Sequence, residues 1–456
     1  MVIIMLFMIY IAKNNSIIVE LNNKIDKLQS KLEKMNKDSI KKKIGIAFVN
    51  PHLYLNGIGR LLAILTELLV KTDRYEVYLI TEISSEIDFE CHKKVKRIIQ
   101  KRDEQVIKDF DEENNIQIYV LNNDISNSID IYQSLGKKVI GIFHGVFLSC
   151  VFTSDVNIYN SWFSFSKYDS FIHIIPDDYW VYKKLGFNNS IYIPNLYTFD
   201  HTKTPSSKLT YKNILMVGRM DDVLKGGKYG ILAMREIVKE IPDAKLTIVG
   251  PNHPQDLKDL IKHLNLENNV RWVGFAQNIS EFYLNASVLL VTSLSESFPM
   301  VMNEGKAHGL PIVSFDVDYS PCFQKGVITV DMFNYTLMAK ETIKLLKDYE
   351  YRKKKAKEAK LSLEMYNNNN TIIMWEKLIN SLIKGNKEYT KLQEEVEKKY
   401  YNKSLAKEHL EKHYKYAQQL NEKFKCHTFE NFTTLSYINV AKNCPKENKT
   451  NNNTTS

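Results

Sequence analysis

The sequence predicts an α/β protein made of two Rossmann-like, doubly wound domains facing a cleft, with an N-terminal helix and a helical C-terminal extension. Three observations carry this. From residue 41 onward, short apolar runs alternate with helical stretches, the pattern of parallel sheets covered by helices on both faces. The alternation comes as two series, parted by a polar stretch from His201 to Lys208 that contains Pro205. The length of 456 residues suits two or three domains at roughly 100–200 residues each.

The elements are taken in chain order. Residues 1–12, MVIIMLFMIYIA, are almost wholly apolar. A membrane-spanning helix needs about 20 residues, and a signal peptide needs basic residues before its apolar run and a small-residue cleavage site after it. Neither flank is present, which leaves an interfacial or signal-anchor segment, or a truncated gene start. In residues 18–35, apolar positions fall at Ile18, Leu21, Ile25, Leu28, Leu32 and Met35. Those steps make a short heptad seam: either a dimerising stalk or an ordinary amphipathic helix packed on the body. Residues 1–40 therefore stand apart from the rest of the chain.

The first domain is expected over 41–200, with strands at KKIGIAFV, YEVYLIT, IQIYVLN, KKVIGIFHG, SFIHII and SIYIPN. Between the second and third of these lies a basic cluster, His92-Lys93-Lys94-Val95-Lys96-Arg97 with Lys101-Arg102. It reads as a solvated surface helix, with a lipid-headgroup contact as the sharper alternative. The second domain is expected over 206–383, with strands at NILMVGR, AKLTIVG, NVRWVGF, SVLLVTS, PIVSFD and VITVD. Residues 384–456 form a charged extension, helical over 385–427 and Lys/Asn/Thr-rich and disordered over 442–456. Ligands of such sheets sit at the carboxyl ends of the strands, so a cleft between two of them is a natural site.

Composition sets limits on function. The chain is 44% hydrophobic and 25% charged, close to globular averages of about 45–50% and about 25%. The net charge of +9 fits weak attraction to anionic membranes or phosphorylated substrates. No basic-aromatic block of the kind that reads nucleic acid occurs, so nucleic acid is not an expected partner. Cys91, Cys150, Cys322, Cys426 and Cys444 are scattered, with no CxxC and no zinc spacing. This fits reduced thiols facing the cytosol, whether the protein is cytoplasmic or held at a membrane surface; a disulfide is the alternative for a secreted chain, though nothing demands one. Sequons such as Asn278, Asn334 and Asn431 are read as chance in an Asn-rich chain.

The most informative stretch is SLSESFPMVMNEGKAHGLPIVSFD, Ser293 to Asp316. Pro299 suits the first turn of a helix, where its missing N–H is no loss. Free backbone N–H groups near Met300 and Val301 then face the cleft, and a helix start of this kind holds phosphate. Glu296 and Glu304 flank it and can accept hydrogen bonds from sugar hydroxyls. The bland alternative is that both glutamates cap and solvate an ordinary helix. Asp316-Val317-Asp318 has the form of a DxD metal motif, but it ends a strand here and is not expected to bind metal.

Glu296-x7-Glu304 followed by Gly305-Lys306-Ala307-His308-Gly309-Leu310-Pro311-Ile312-Val313 resembles the signature of the retaining GT-B glycosyltransferases of family four. The resemblance covers about residues 41–383 and is stronger in the second half. It implies a ribose contact for Glu304, donor-sugar contacts for Glu296, and backbone amides for sugar and phosphates from Ser297, Phe298, Pro299, Met300 and Val301. It also implies that Arg219 and Lys225 grip the donor diphosphate, where fixed cations stabilise the charge that grows on the leaving group. Gly57 and Gly59 fall where the family carries a glycine-rich turn near the donor, although a lone Gly-x-Gly is a weak signal. His144, ending a strand, would face the donor sugar, and Ile193-Pro194-Asn195 would close the first domain. One departure is Val317-Asp318-Tyr319-Ser320, where the family usually has Gly-Gly after the Asp.

The resulting expectation is retaining, metal-independent hexosyl transfer from a nucleotide-diphosphate sugar, without a cofactor, to a glycan, lipid or protein acceptor. The donor base is left open, its contacts falling on backbone near Phe275 and Ala276. A membrane surface and a homodimer through residues 18–35 are the further partners considered. Two rivals differ in class. A nucleotide-sugar epimerase would lack the Arg219/Lys225 and Glu296/Glu304 set, and a phosphorylase would need a longer chain. A non-catalytic, coiled-coil-tethered binding protein would be expected to have lost one of these four charges.

Overall fold

A computed structural model describes residues 43–385 apart from 54–56, 87, 123–127, 146–164, 185, 221–224, 295, 318–325 and 365–367, together with residues 27, 390, 391, 393 and 394. The apolar start, the heptad seam apart from Lys27, Asp318 and most of the C-terminal extension lie outside the described residues.

The first half builds a seven-stranded parallel sheet. Its elements are β1 (Ile44–Val49), α1 (Gly57–Lys71), β2 (Tyr75–Thr81), β3 (Lys96–Ile99), α2 (Glu104–Glu113), β4 (Ile116–Asn122), α3 (Ser128–Ser134), β5 (Lys138–Phe143), β6 (Ser170–His173), α4 (Pro176–Lys184) and β7 (Ser190–Tyr192). The strand order is β3-β2-β1-β4-β5-β6-β7. The second half runs β8 (Asn213–Val217), α5 (Gly227–Glu240), β9 (Lys245–Val249), α6 (Gln255–His263), β10 (Val270–Gly274), α7 (Ile279–Leu284), β11 (Val288–Val291), α8 (Met300–Ala307), β12 (Ile312–Phe315), β13 (Val327–Val330), α9 (Tyr335–Lys347) and α10 (Tyr349–Leu361). Its sheet has the order β10-β9-β8-β11-β12-β13. Both are doubly wound, and each reverses direction beside its first strand, β1 against β4 and β8 against β11. The central strands are buried almost end to end, as in IGIAFV of β1 and VLLV of β11, because helices cover both faces.

Each apolar run singled out in the sequence contains a strand. The basic cluster does not form a helix: Lys96–Ile99 is β3, the edge of the first sheet. Its charges are paired locally, Lys96 with Glu76 at 2.5 Å and Arg97 with Asp88 at 3.0 Å, and Arg102 with Glu82. A charged edge strand discourages pairing with another chain.

Helix α11 (Asn368–Lys384) comes after the second sheet in sequence but packs on the first. The Trp375 ring lies 5.9 Å from that of Phe48 in β1, and Glu376 pairs with Arg74 at 3.0 Å. Further on, Gln393 Oε1 accepts from the Tyr192 N–H on edge strand β7, at 3.1 Å. Trp375 is buried at 3% exposure, so Trp375→Ala is expected to destabilise the fold by about 3–5 kcal/mol. A lowered urea midpoint would register this; an unchanged one would show that α11 is not part of the first core.

Candidate functional site

The carboxyl ends of the two sheets face a cavity of about 410 Å³, within the ~300–1,000 Å³ typical of small-molecule sites. The first domain lines it with Gly57, Ile58 and Arg60 at the start of α1, and with His144 just past β5. The second domain contributes Gly218 and Arg219 after β8, Phe275 and Ala276 after β10, and the loop from β11 into α8. Of the residues expected from sequence, Gly57, His144, Arg219, Lys225, Glu296, Ser297, Phe298, Met300, Val301 and Glu304 all reach this cavity.

Gly59 and Pro299 are not among the lining residues. A Cβ on Gly59 would lie 2.3 Å from the Leu53 carbonyl oxygen, so its glycine serves close packing of α1 under the loop after β1. Pro299 caps α8, its carbonyl accepting from the N–H groups of Met302 and Asn303.

The carboxylates and cations are already engaged with one another. Glu304 is 3% exposed. Its Oε1 accepts from Arg60 Nη1 at 2.6 Å and from Thr198 Oγ1 at 2.8 Å, and its Oε2 from the Tyr283 hydroxyl at 2.8 Å. Behind Tyr283 the ring of His308 stacks at 4.9 Å, held by Ser280 Oγ at 2.6 Å and the Glu304 carbonyl at 2.7 Å. Burial holds the His308 imidazole below its ordinary pKa. Glu296 Oε1 accepts from Lys225 Nζ at 2.5 Å and from Ser293 Oγ at 2.8 Å. Gly226 fixes where Lys225 can sit. Its φ is +63°, and a Cβ there would meet the Thr292 carbonyl oxygen at 2.1 Å, so only glycine fits the turn into α5.

Two of the expected contacts take unforeseen forms. Ser297 Oγ donates to the His144 carbonyl at 2.6 Å, joining the α8 loop to the first domain. Phe298 is buried, its ring 5.8 Å from that of Tyr197. Met300 and Val301 open α8 at the cavity, where the first N–H groups of a helix lack intrahelical partners.

Residues 199–362 match the family described as Glycosyl transferases group 1. This segment is a group 1 glycosyltransferase domain. Within it lie Arg219, Lys225, Glu296 and Glu304. An uncharacterized glycosyltransferase of Haemophilus influenzae is 35% identical over 135 residues, 29% of this chain and 38% of that protein. The poly(glycerol-phosphate) alpha-glucosyltransferase of Bacillus subtilis is 29% identical over 203 residues, 43% of this chain and 29% of that protein. The chain thus matches well under half the length of either relative. Among solved structures, sucrose-phosphate synthase from Thermosynechococcus elongatus superposes with a TM-score of 0.65 at 16% identity, covering 75% of this chain and all of that one. Anabaena HepE in complex with UDP and glucose gives 0.60 at 14% identity, covering 74% and 99%. Together they establish the GT-B fold, two parallel sheets flanking a cleft.

Facing the group 1 domain, His144 Nε2 lies 3.0 Å from Asn122 Oδ1, while Asn122 Nδ2 donates to the Val49 carbonyl at 3.2 Å. That amide orientation places the proton on Nε2. Burial lowers the His144 pKa from 6.5 to about 4, so the imidazole is neutral at pH 7. His173, buried in β6 with Nε2 3.1 Å from Ser190 Oγ, is lowered by burial to about 3. The unfolded chain binds protons on both below about pH 6.5, and the native protein resists until its depressed pKa values. Their contribution is therefore complete above pH 6.5 and is lost as pH falls toward 4, at up to about 1.4 kcal/mol per pH unit per group. The urea midpoint is expected to drop between pH 7.5 and pH 5, and to drop less in His144→Gln. Equal midpoints at both pH values would contradict a neutral His144 and His173.

Thr198 and Tyr283 escape the sequence reading, and Arg60 enters it only as the end of the loop after the first strand. Arg60 directly follows the Gly-x-Gly pair, a signal that was available; Thr198 and Tyr283 carried none. Among the described residues, no helix is long and apolar enough to cross a membrane.

Proposed function

We propose that the protein transfers a hexose from a nucleoside-diphosphate sugar to an acceptor hydroxyl, with retention and without a metal or cofactor. The observation that carries this is the convergence of Arg219, Lys225, Glu296, Glu304 and the start of α8 on one cavity between two sheet ends. In this reading, Arg219 and Lys225 take the diphosphate, aided by the N–H groups opening α8. Lys225 exchanges Glu296 for phosphate, and the freed Glu296 carboxylate accepts from the sugar hydroxyls. Glu304 accepts from the ribose. The acceptor enters past His144, whose neutral imidazole suits a hydroxyl partner.

The acceptor oxygen bonds to the anomeric carbon on the face from which the diphosphate departs. As the bond to the diphosphate oxygen breaks, the acceptor's proton passes to the leaving phosphate, and the fixed cations stabilise the charge on it. Uridine is the first base to test, because similar solved structures hold UDP. The B. subtilis relative's name makes a glucosyl donor the first sugar.

The test is a thermal-shift screen of the full chain against UDP, GDP, ADP and their sugars, with EDTA present. At a hundredfold excess over Kd, binding adds about 2.7 kcal/mol of apparent stability, a shift of several degrees. One nucleoside diphosphate should raise Tm, and Arg219→Ala should abolish the rise. A folded sample that responds to none of them would overturn the proposal.

A further inference from the structure

We infer that Arg60 is a positioning residue for Glu304, so that ribose recognition in the second domain depends on a side chain of the first. The inference rests on the reading of Glu304 as the ribose acceptor. Its basis is the number of acceptor positions on one buried carboxylate.

An ionised carboxylate offers about four lone-pair positions. In Glu304, two on Oε1 are taken by Arg60 and Thr198, and one on Oε2 by Tyr283. One position on Oε2 remains for a ligand. Its direction is fixed only while the carboxylate plane is fixed. Tyr283 belongs to the second domain and Thr198 to the connecting segment. Arg60 reaches across the cleft from the first turn of α1, and it carries the countercharge. The Phe89 ring lies under the guanidinium at 5.1 Å and limits its travel. Without Arg60, the carboxylate keeps only two neutral donors, Thr198 on Oε1 and Tyr283 on Oε2, and loses the charged contact that draws Oε1 toward the first domain. The remaining Oε2 position then loses its aim, although the base and phosphate contacts stay intact. Because Arg60 and Glu304 stand on opposite walls, the ribose contact is complete only when the two walls are at their present separation.

The experiment is isothermal titration of the full chain with UDP and 2′-deoxy-UDP, or with the corresponding pair for whichever base binds. Wild type is expected to prefer the ribonucleotide by about tenfold or more, the size of a hydrogen bond to a charged group. Glu304→Gln should erase that preference. Arg60→Ala and Arg60→Gln should cut it to roughly threefold or less, with little change in affinity for the deoxy form, and Arg60→Lys should restore part of it. A general packing defect would weaken both nucleotides alike and leave the ratio intact. If folded Arg60→Ala or Arg60→Gln keeps the full preference that Glu304→Gln loses, the inference is overturned and the proposed function stands. If wild type shows no preference, or Glu304→Gln retains it, the ribose assignment itself fails and takes the inference with it.

Discussion

Glu304→Ala is expected to weaken nucleoside-diphosphate binding by about tenfold to a hundredfold and to lower the stability of the unliganded protein by about 3 kcal/mol. Both effects come from one carboxylate. It accepts from Arg60, Thr198 and Tyr283 at 2.6–2.8 Å while only 3% exposed. Truncation strands a half-buried guanidinium and a buried hydroxyl, and unmet groups of this kind are costly. Glu304→Gln keeps an acceptor oxygen, so it should recover part of the stability and little of the binding. Titration calorimetry and a urea curve on the same samples separate the two. Full-strength binding by a stable Glu304→Ala variant would remove this residue from the donor site.

Lys225→Ala is expected to reduce kcat by about a hundredfold to a thousandfold at saturating donor, the usual loss when a fixed charge at a developing anion is removed. The Lys225–Glu296 contact at 2.5 Å gives the experiment an internal check. Residues in direct contact do not act independently. The double variant Lys225→Ala/Glu296→Ala should therefore lose less than the product of the two single losses. Additive losses would mean that the pair is not exchanged during turnover. A kcat change under about threefold for Lys225→Ala would place the leaving phosphate elsewhere.

Where hydrophobic pattern dictated structure, the sequence was readable. IQIYVLN and YEVYLIT became strands with the bounds their apolar runs suggest, because a strand buried on both faces has to be apolar along its length. KRII at residues 96–99 resembles a surface helix in sequence because an edge strand keeps its charges in water. Its assignment depends on Glu76, Glu82 and Asp88, which neutralise the cluster from other elements. The same contrast holds at the site. Glu296 and Glu304 are separated by a spacing that a loop and a helix start convert into one cavity wall, so local order sufficed. Arg60 is 244 positions from Glu304, and their contact exists only because two sheets turn their carboxyl ends toward each other. Gly59 lies outside the cavity lining, and its hydrogen makes room for the Leu53 carbonyl, a packing role that spacing alone does not reveal.

The return of α11 to the first sheet means that the chain passes between the domains twice. Both passages are tied at a single spot: Asn368 Oδ1 accepts from the Tyr197 N–H at 2.8 Å, and Asn368 Nδ2 donates to the Tyr197 carbonyl at 3.0 Å. In mechanical terms this is one pivot and not two spaced hinges. Two spaced hinges would confine the halves to swinging about a single line, whereas a pivot also lets them swivel. Two further contacts span the cleft away from that spot, Arg60–Glu304 and Ser297–His144. A ligand that replaced either contact would remove one of the ties between the two halves.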